Sequence, residues 1–174
     1  APIARGDLTL ADLAAYRAIE RPPVCVGYRG KRVCGMGAPS SGGIAIAQSL
    51  NLLEGFHLGR EPADAMRAVD MHLVTEATRL AFADRNFYVA DPARVKVPDG
   101  LLDSEYIAAR RGLISIDAPV RAPHPGTPPG AARVAHGADV TLEAAGTTHI
   151  SVIDASGNAV AMTTTIEQGF GSHL

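Results

Sequence analysis

Thr147-Thr148-His149-Ile150-Ser151-Val152-Ile153-Asp154, then Ala155-Ser156-Gly157 and the return run from Asn158 to Gly171, is the stretch on which the reading of this 174-residue chain turns. Its first part alternates, with Thr148, Ile150 and Val152 on one face and His149, Ser151 and Ile153 on the other. Residues 159–166 alternate again, Val160, Met162, Thr164 and Ile166 opposing Ala159, Ala161, Thr163 and Thr165. Two such runs joined by Asp-Ala-Ser-Gly-Asn predict an antiparallel hairpin with a three-residue loop, a type I turn followed by Gly157 in the left-handed region. That loop pairs Asp154 with Asn158. Counting back, 152 meets 160, 150 meets 162, and Thr147 meets Thr165. Two hydroxyls therefore face each other at the open end of the hairpin, just after a flexible Ala144-Ala145-Gly146.

A Gly-Thr bond at the start of a strand expected to be buried is a candidate site of self-cleavage. A threonine hydroxyl is a weak nucleophile, and an adjacent amine can activate it as general base. Cutting before Thr147 creates that amine on the nucleophile's own residue. The plainer reading of the same residues is that paired threonines are good strand formers.

The wording of the segment decides between them. Gly-Thr-Thr-His-Ile-Ser-Val-Ile-Asp, then Gly-Asn-Ala-Val-Ala-Met-Thr-Thr-Thr-Ile, then Gly169-Phe-Gly-Ser172 closely resembles the processing junction of the gamma-glutamyltransferases. These are N-terminal-nucleophile hydrolases, also called gamma-glutamyltranspeptidases or glutathione hydrolases. The resemblance runs upstream through Leu8-Thr9-Leu-Ala-Asp12-Leu-Ala-Ala-Tyr16, through Pro39-Ser-Ser-Gly-Gly43, and through Ala83-Asp-Arg85 with Tyr88, Asp91-Pro92 and Val95-Lys-Val-Pro98.

The resemblance implies an α/β fold, the hairpin belonging to the central sheets of a four-layer αββα sandwich. Residues 1–146 would be the C-terminal part of a large subunit, and 147–174 the start of a small, catalytic one. Thr147 would attack the Gly146 carbonyl during maturation and a gamma-glutamyl amide during turnover, passing the acyl group to water or to an amino acid or peptide. Thr165 would orient the nucleophile. No metal and no organic cofactor is implied; the implied partners are the small-molecule substrate, its acceptor, and the rest of both subunits. A periplasmic or extracellular setting is implied as well.

Two departures bear on that picture. Position 167 is Glu, where well-known members carry an Asn that contacts the substrate glutamate. A carboxylate cannot donate to a carboxylate, which keeps a related acylase open for this substrate-binding position. The family's oxyanion-hole residues, and its Asp for the substrate amine, lie beyond Leu174, and its Arg for the substrate carboxylate lies before Ala1. The chain is expected to be the junction region of a longer precursor, inactive by itself. A non-catalytic fragment that keeps the family's packing is the alternative from another class.

Composition sets outer limits. An apolar fraction of 47% is enough for a core, and a net charge of −2 with scattered Lys and Arg gives no basic patch for nucleic acid. No run approaches the roughly 18 apolar residues of a membrane span. Ala1-Pro-Ile-Ala-Arg-Gly lacks the apolar core of a signal peptide.

Along the chain, Thr9 caps a short helix with Asp12 at its third position. Val24–Tyr28 and Lys31–Met36 form a second hairpin about Arg29-Gly30, which sets Cys25 opposite Cys34 in a non-hydrogen-bonded pair. A disulfide is open to that pair in an oxidising compartment; the plainer expectation is two small buried thiols. Ser40-Ser41-Gly42-Gly43 opens a helix running through Ile44, Ala47, Leu50 and Leu53 to about Gly55, the glycines permitting close backbone approach. Glu61-Pro62 is read as the start of a long helix with an apolar stripe of Met66, Val69, Leu73, Ala77 and Leu80. His72 and Glu76 are read as structural, and Asp84-Arg85 as the helix's solvated end. Asp103-Ser104 starts another helix that Gly112 closes. Residues 114–146, rich in Pro, Gly and Ala, read as a slack linker.

Overall fold

The computed structural model describes residues 8–59, 61, 64, 67–131 and 146–166. The chain is mixed α/β and falls into two compact units, Ile19–Asp139 and the pair of segments Ala1–Ala18 and Val140–Leu174. Among the described residues no helix is long and apolar enough to cross a membrane.

In the smaller unit, α1 (Leu10–Ala15) begins at Thr9. The Thr9 hydroxyl accepts from the Asp12 amide and the Asp12 carboxylate accepts from the Thr9 amide at 2.8 Å, a reciprocal capping box. The same unit holds the hairpin of β3 (Thr147–Ile153) and β4 (Ala159–Thr165).

The larger unit opens with β1 (Val24–Tyr28) and β2 (Lys31–Gly35), antiparallel with Cys25 opposite Cys34 as the two-residue turn requires. These two residues are joined by a disulfide at a Cα separation of 4.1 Å. The expectation of two buried thiols is corrected on both counts, because Cys34 is exposed and Cys25 only half-buried. Directly opposed residues of a narrow antiparallel pair are close enough for a bridge without backbone movement.

Helix α2 (Gly42–Leu53) packs on this hairpin. A side chain at Gly43 would collide with the backbone of Gly35 and Met36, so the glycine there is a requirement of packing. Helix α3 (Ala68–Tyr88) crosses α2, and a 3-10 turn at Asp99–Leu102 leads into α4 (Ser104–Arg111), capped by Asp103 and closed at Gly112. The predicted stripe forms the main core: Leu73, Ala77 and Leu80 of α3 pack with Leu52 and Leu53 of α2, Ile107 of α4 and Ile114. Val69 lies at its edge, and Met66 lies outside the described residues. The helix starts at Ala68, not at Glu61; Glu61 and Asp64 belong to tight turns, the Asp64 amide donating to the Glu61 carbonyl and the Arg67 amide to that of Asp64.

Two further expectations change. Asp84 is not a solvated end: it is fully buried. Its carboxylate accepts from Gln48 Nε2 at 2.6 Å, the Tyr106 hydroxyl at 2.7 Å and the Gly126 amide at 2.8 Å, and pairs with Arg110 at 3.1 Å. Four donors are what an ionised carboxylate needs to stay in a core. Burial, then the bond to Asp84, pushes the Tyr106 phenol far above its ordinary range. The described half of the expected slack linker, residues 114–131, has no regular secondary structure, yet it is fastened to α3 at Ser115, Val120 and Gly126. Residues 132–145 lie outside the described residues.

Candidate active site

The hairpin register is the one the loop predicts. Thr147 pairs with Thr165, His149 with Thr163, Ile150 with Met162 and Val152 with Val160. The turn explains why. The Asp154 amide donates to the Asn158 carbonyl at 3.0 Å, and Gly157 has φ +84°, where other residues are strained. The Asp154 carboxylate takes the Asn158 side-chain amide at 2.8 Å and the Asn158 and Ser156 backbone amides. Those bonds, the Asn158 side chain first, hold the Asp154 carboxyl below its ordinary value.

The register has a chemical consequence. Since 154 and 158 exchange a backbone bond, strict alternation makes 147/165 and 149/163 non-hydrogen-bonded pairs, the narrow ones with opposed Cα atoms about 4.5 Å apart. Side chains at narrow pairs are close enough to bond each other. The Thr147 hydroxyl donates to Thr165 Oγ1 at 2.9 Å, and the Thr165 hydroxyl reaches the Gly146 carbonyl oxygen at 3.3 Å. One hydroxyl thus touches both the nucleophile candidate and the carbonyl of the bond before it. Such a contact can hold the rotamer of one hydroxyl while placing a hydrogen-bond donor on a neighbouring carbonyl oxygen.

One rung further, His149 occupies the same face. Its Nδ1 is 2.7 Å from Thr163 Oγ1 and its Nε2 3.1 Å from Ser151 Oγ. Sequence reasoning set His149 on that face but gave it no part. The signal was present, since alternation places it two residues from Thr147 and opposite a hydroxyl. Ile150, Val152, Val160 and Met162 form the opposite, apolar face, and every residue of both strands is exposed. Glu167, the expected substrate-binding residue, lies outside the described residues. His72 and Glu76 take structural partners: His72 Nε2 donates to the Ser115 carbonyl at 2.8 Å, and Glu76 accepts from Val120 and Arg79. Among the described residues no three His, Cys, Asp or Glu side chains converge as metal ligands.

A hairpin that opens on a Gly-Thr bond, with a second threonine across from the first, is the feature to compare with known proteins, and the comparison gives the family. The family model for gamma-glutamyltranspeptidase matches residues 3–174, and the chain belongs to that family. It is 42% identical over 173 residues to the glutathione hydrolase proenzyme of Escherichia coli (strain K12), covering 97% of this chain and 27% of that protein. It is 41% identical over 168 residues to the acylase ACY 1 proenzyme of Pseudomonas sp. (strain V22), covering 96% and 27%. The crystal structure of Helicobacter pylori gamma-glutamyltranspeptidase superposes with a TM-score of 0.63 at 33% identity, over 76% of this chain and 37% of that one. The chain therefore spans about 27% of the length of these two curated relatives.

Proposed function

We propose that the protein containing this chain is a gamma-glutamyl hydrolase and transferase that cuts itself between Gly146 and Thr147 and then uses Thr147 as its nucleophile. The observation that carries the reading is the contact of Thr165 with both the Thr147 hydroxyl and the Gly146 carbonyl. In maturation, Thr147 Oγ1 bonds to the Gly146 carbonyl carbon as its proton passes through the Thr165 hydroxyl to the carbonyl oxygen. The C–N bond then breaks as the carbonyl re-forms, and that proton moves to the Thr147 nitrogen, which leaves as an amine. Water hydrolyses the resulting ester, giving a Gly146 carboxylate and a free Thr147 hydroxyl.

In turnover the Thr147 amine accepts the hydroxyl proton as Oγ1 attacks the gamma-glutamyl carbonyl, and the amine returns that proton to the departing nitrogen. The acyl ester passes to water, or to the amine of an amino acid or peptide. Thr165 holds the nucleophile's rotamer in both stages. Residues 1–146 belong on this reading to the large subunit and 147–174 to the small one, in a four-layer αββα sandwich completed by the rest of both. The Cys25–Cys34 disulfide favours a periplasmic or extracellular setting, where such bonds persist.

A second reading, an acylase of the same superfamily acting on another amide, is favoured by the 41% identity to an acylase proenzyme and by Glu167. One experiment separates them. The full-length protein is followed by intact mass and then assayed with a gamma-glutamyl anilide beside an acyl-lactam. Cleavage before Thr147 and gamma-glutamyl turnover are expected, with Thr147→Ala remaining whole. Turnover of the lactam alone would favour the acylase, and an active but uncut wild type would remove both.

A further inference from the structure

Helix α3 presents polar side chains at four-residue intervals, and each holds the backbone of one segment. His72 takes the Ser115 carbonyl at 2.8 Å and Glu76 the Val120 amide at 2.7 Å; Asp84 takes the Gly126 amide at 2.8 Å and the Tyr88 hydroxyl donates to the Gly126 carbonyl at 2.6 Å. Position 80 completes the spacing. Leu80 turns its side chain into the core while its carbonyl accepts from Arg110 at 3.0 Å. Residues one turn apart lie on neighbouring parts of a helix surface, so the segment runs along α3 in the same direction as the helix.

The two carboxylates are nearly or fully buried, Glu76 at 2% exposure and Asp84 at 0%. Undocking would take a donor from each, and a buried charged group left short of donors is costly. Apolar contacts act in the same sense. Ile114 belongs to the main core, Val120 packs against it, and Pro128 is fully buried. Gly126 lies under Tyr106 and Arg110 so closely that no Cβ would fit. The Gly100 amide donates to Pro129 at 3.1 Å.

We infer that this face of α3 is a docking surface for residues 115–126 that outlasts severance of the chain between Gly146 and Thr147. The reason is in the partner set: each side chain and backbone group in these bonds lies between residues 48 and 129, so a cut at 146–147 removes none of them. The leading fragment keeps this part of its chain in place. The inference rests on the proposed self-cleavage only for how the chain is cut in nature.

Site-resolved hydrogen exchange on the full-length protein tests it, read at the Val120 and Gly126 amides. Thr147→Ala supplies the whole chain. The cut chain comes from wild type and, separately, from a specific protease site inserted between Gly146 and Thr147 in the Thr147→Ala background. The engineered cut keeps the docking test independent of whether the protein cuts itself, so failure of the functional reading shows separately, as an uncut wild type. Exchange at both amides is expected to differ by less than about threefold between whole and cut chains. Glu76→Leu should raise the Val120 rate roughly tenfold, as for loss of one strong hydrogen bond, and leave Gly126 near its wild-type rate. Loss of protection at both amides on cutting would overturn the inference, as would unchanged Val120 exchange in a folded Glu76→Leu.

Discussion

The Thr147 and Thr165 hydroxyls lie 2.9 Å apart, on residues that a three-residue loop makes direct cross-strand partners. The contact is built by the hairpin alone. It requires only that Asp154 and Asn158 close the turn and that alternation hold for seven residues on each strand. The geometry around the Gly146–Thr147 bond is thus local in origin.

Removing the Thr165 hydroxyl separates chemistry from folding. Thr165→Val keeps the branched shape and the strand propensity, so the thermal midpoint of the full-length protein should move by no more than a degree or two. The Thr147 hydroxyl loses its partner, and single-turnover cleavage of a gamma-glutamyl anilide should slow by about 1–3 kcal/mol of barrier, on the order of tenfold to a hundredfold. Unchanged turnover would dismiss Thr165 as the orienting group.

Glu167 tests specificity. The residue follows Thr165 by two in sequence, the spacing at which an extended chain returns a side chain to the same face. A carboxylate there repels a substrate carboxylate and attracts a substrate amine. Glu167→Asn is expected to raise kcat/KM for gamma-glutamyl substrates while leaving an apolar acyl substrate unaffected. A fall in gamma-glutamyl turnover would mean that Glu167 grips the substrate amine instead.

Asp84 is expected to be among the most sensitive positions for stability. Asp84→Leu removes the acceptor shared by Gln48, Tyr106, Gly126 and Arg110, and leaves a buried guanidinium without its counter-charge. Breaking a buried pair from one side costs roughly 3–5 kcal/mol. Denaturant unfolding should show that loss, and Arg110→Leu with Asp84→Leu should restore part of it. An unfolding midpoint within error of wild type for Asp84→Leu would contradict the buried network.

Acid should loosen α3's hold on the segment that follows α4. Burial pushes the Glu76 carboxyl up, but the Val120 amide and Arg79 outweigh it, and the group ends below its ordinary 4.5. A carboxyl lowered in the folded state stabilises the fold fully above its unfolded value and loses that contribution as pH falls through its folded value. Unfolding free energy should therefore decline below about pH 4.5. Glu76→Gln should flatten the decline without abolishing it, because Asp70, held down chiefly by Arg67, titrates in the same direction. A wild-type slope in the variant would exclude Glu76 as a contributor.

Features that depend on neighbours along the chain are legible before any packing is known. The turn residues 154–158 set the hairpin register, and the register paired Thr147 with Thr165. The Arg29-Gly30 turn placed Cys25 opposite Cys34, and Thr9 with Asp12 wrote the first cap. The spacing of Leu73, Ala77 and Leu80 drew the face of α3 that the core covers. The resemblance of the junction to the gamma-glutamyltransferases pointed to the family that the comparisons then showed.

Tertiary structure decided the matters that depend on what packs against what. Asp84 falls four residues after Leu80 and seven after Ala77, on the buried stripe, yet a carboxylate at the end of a helix reads as solvated. Only the arrival of Gln48 from α2, Tyr106 and Arg110 from α4, and Gly126 from the segment beyond it offsets the cost of its burial. Residues 114–131 look slack because their anchors belong to α3, 38 to 44 positions earlier in four bonds. Composition reports how freely a segment moves when alone, and side chains donated by another element decide whether it moves at all.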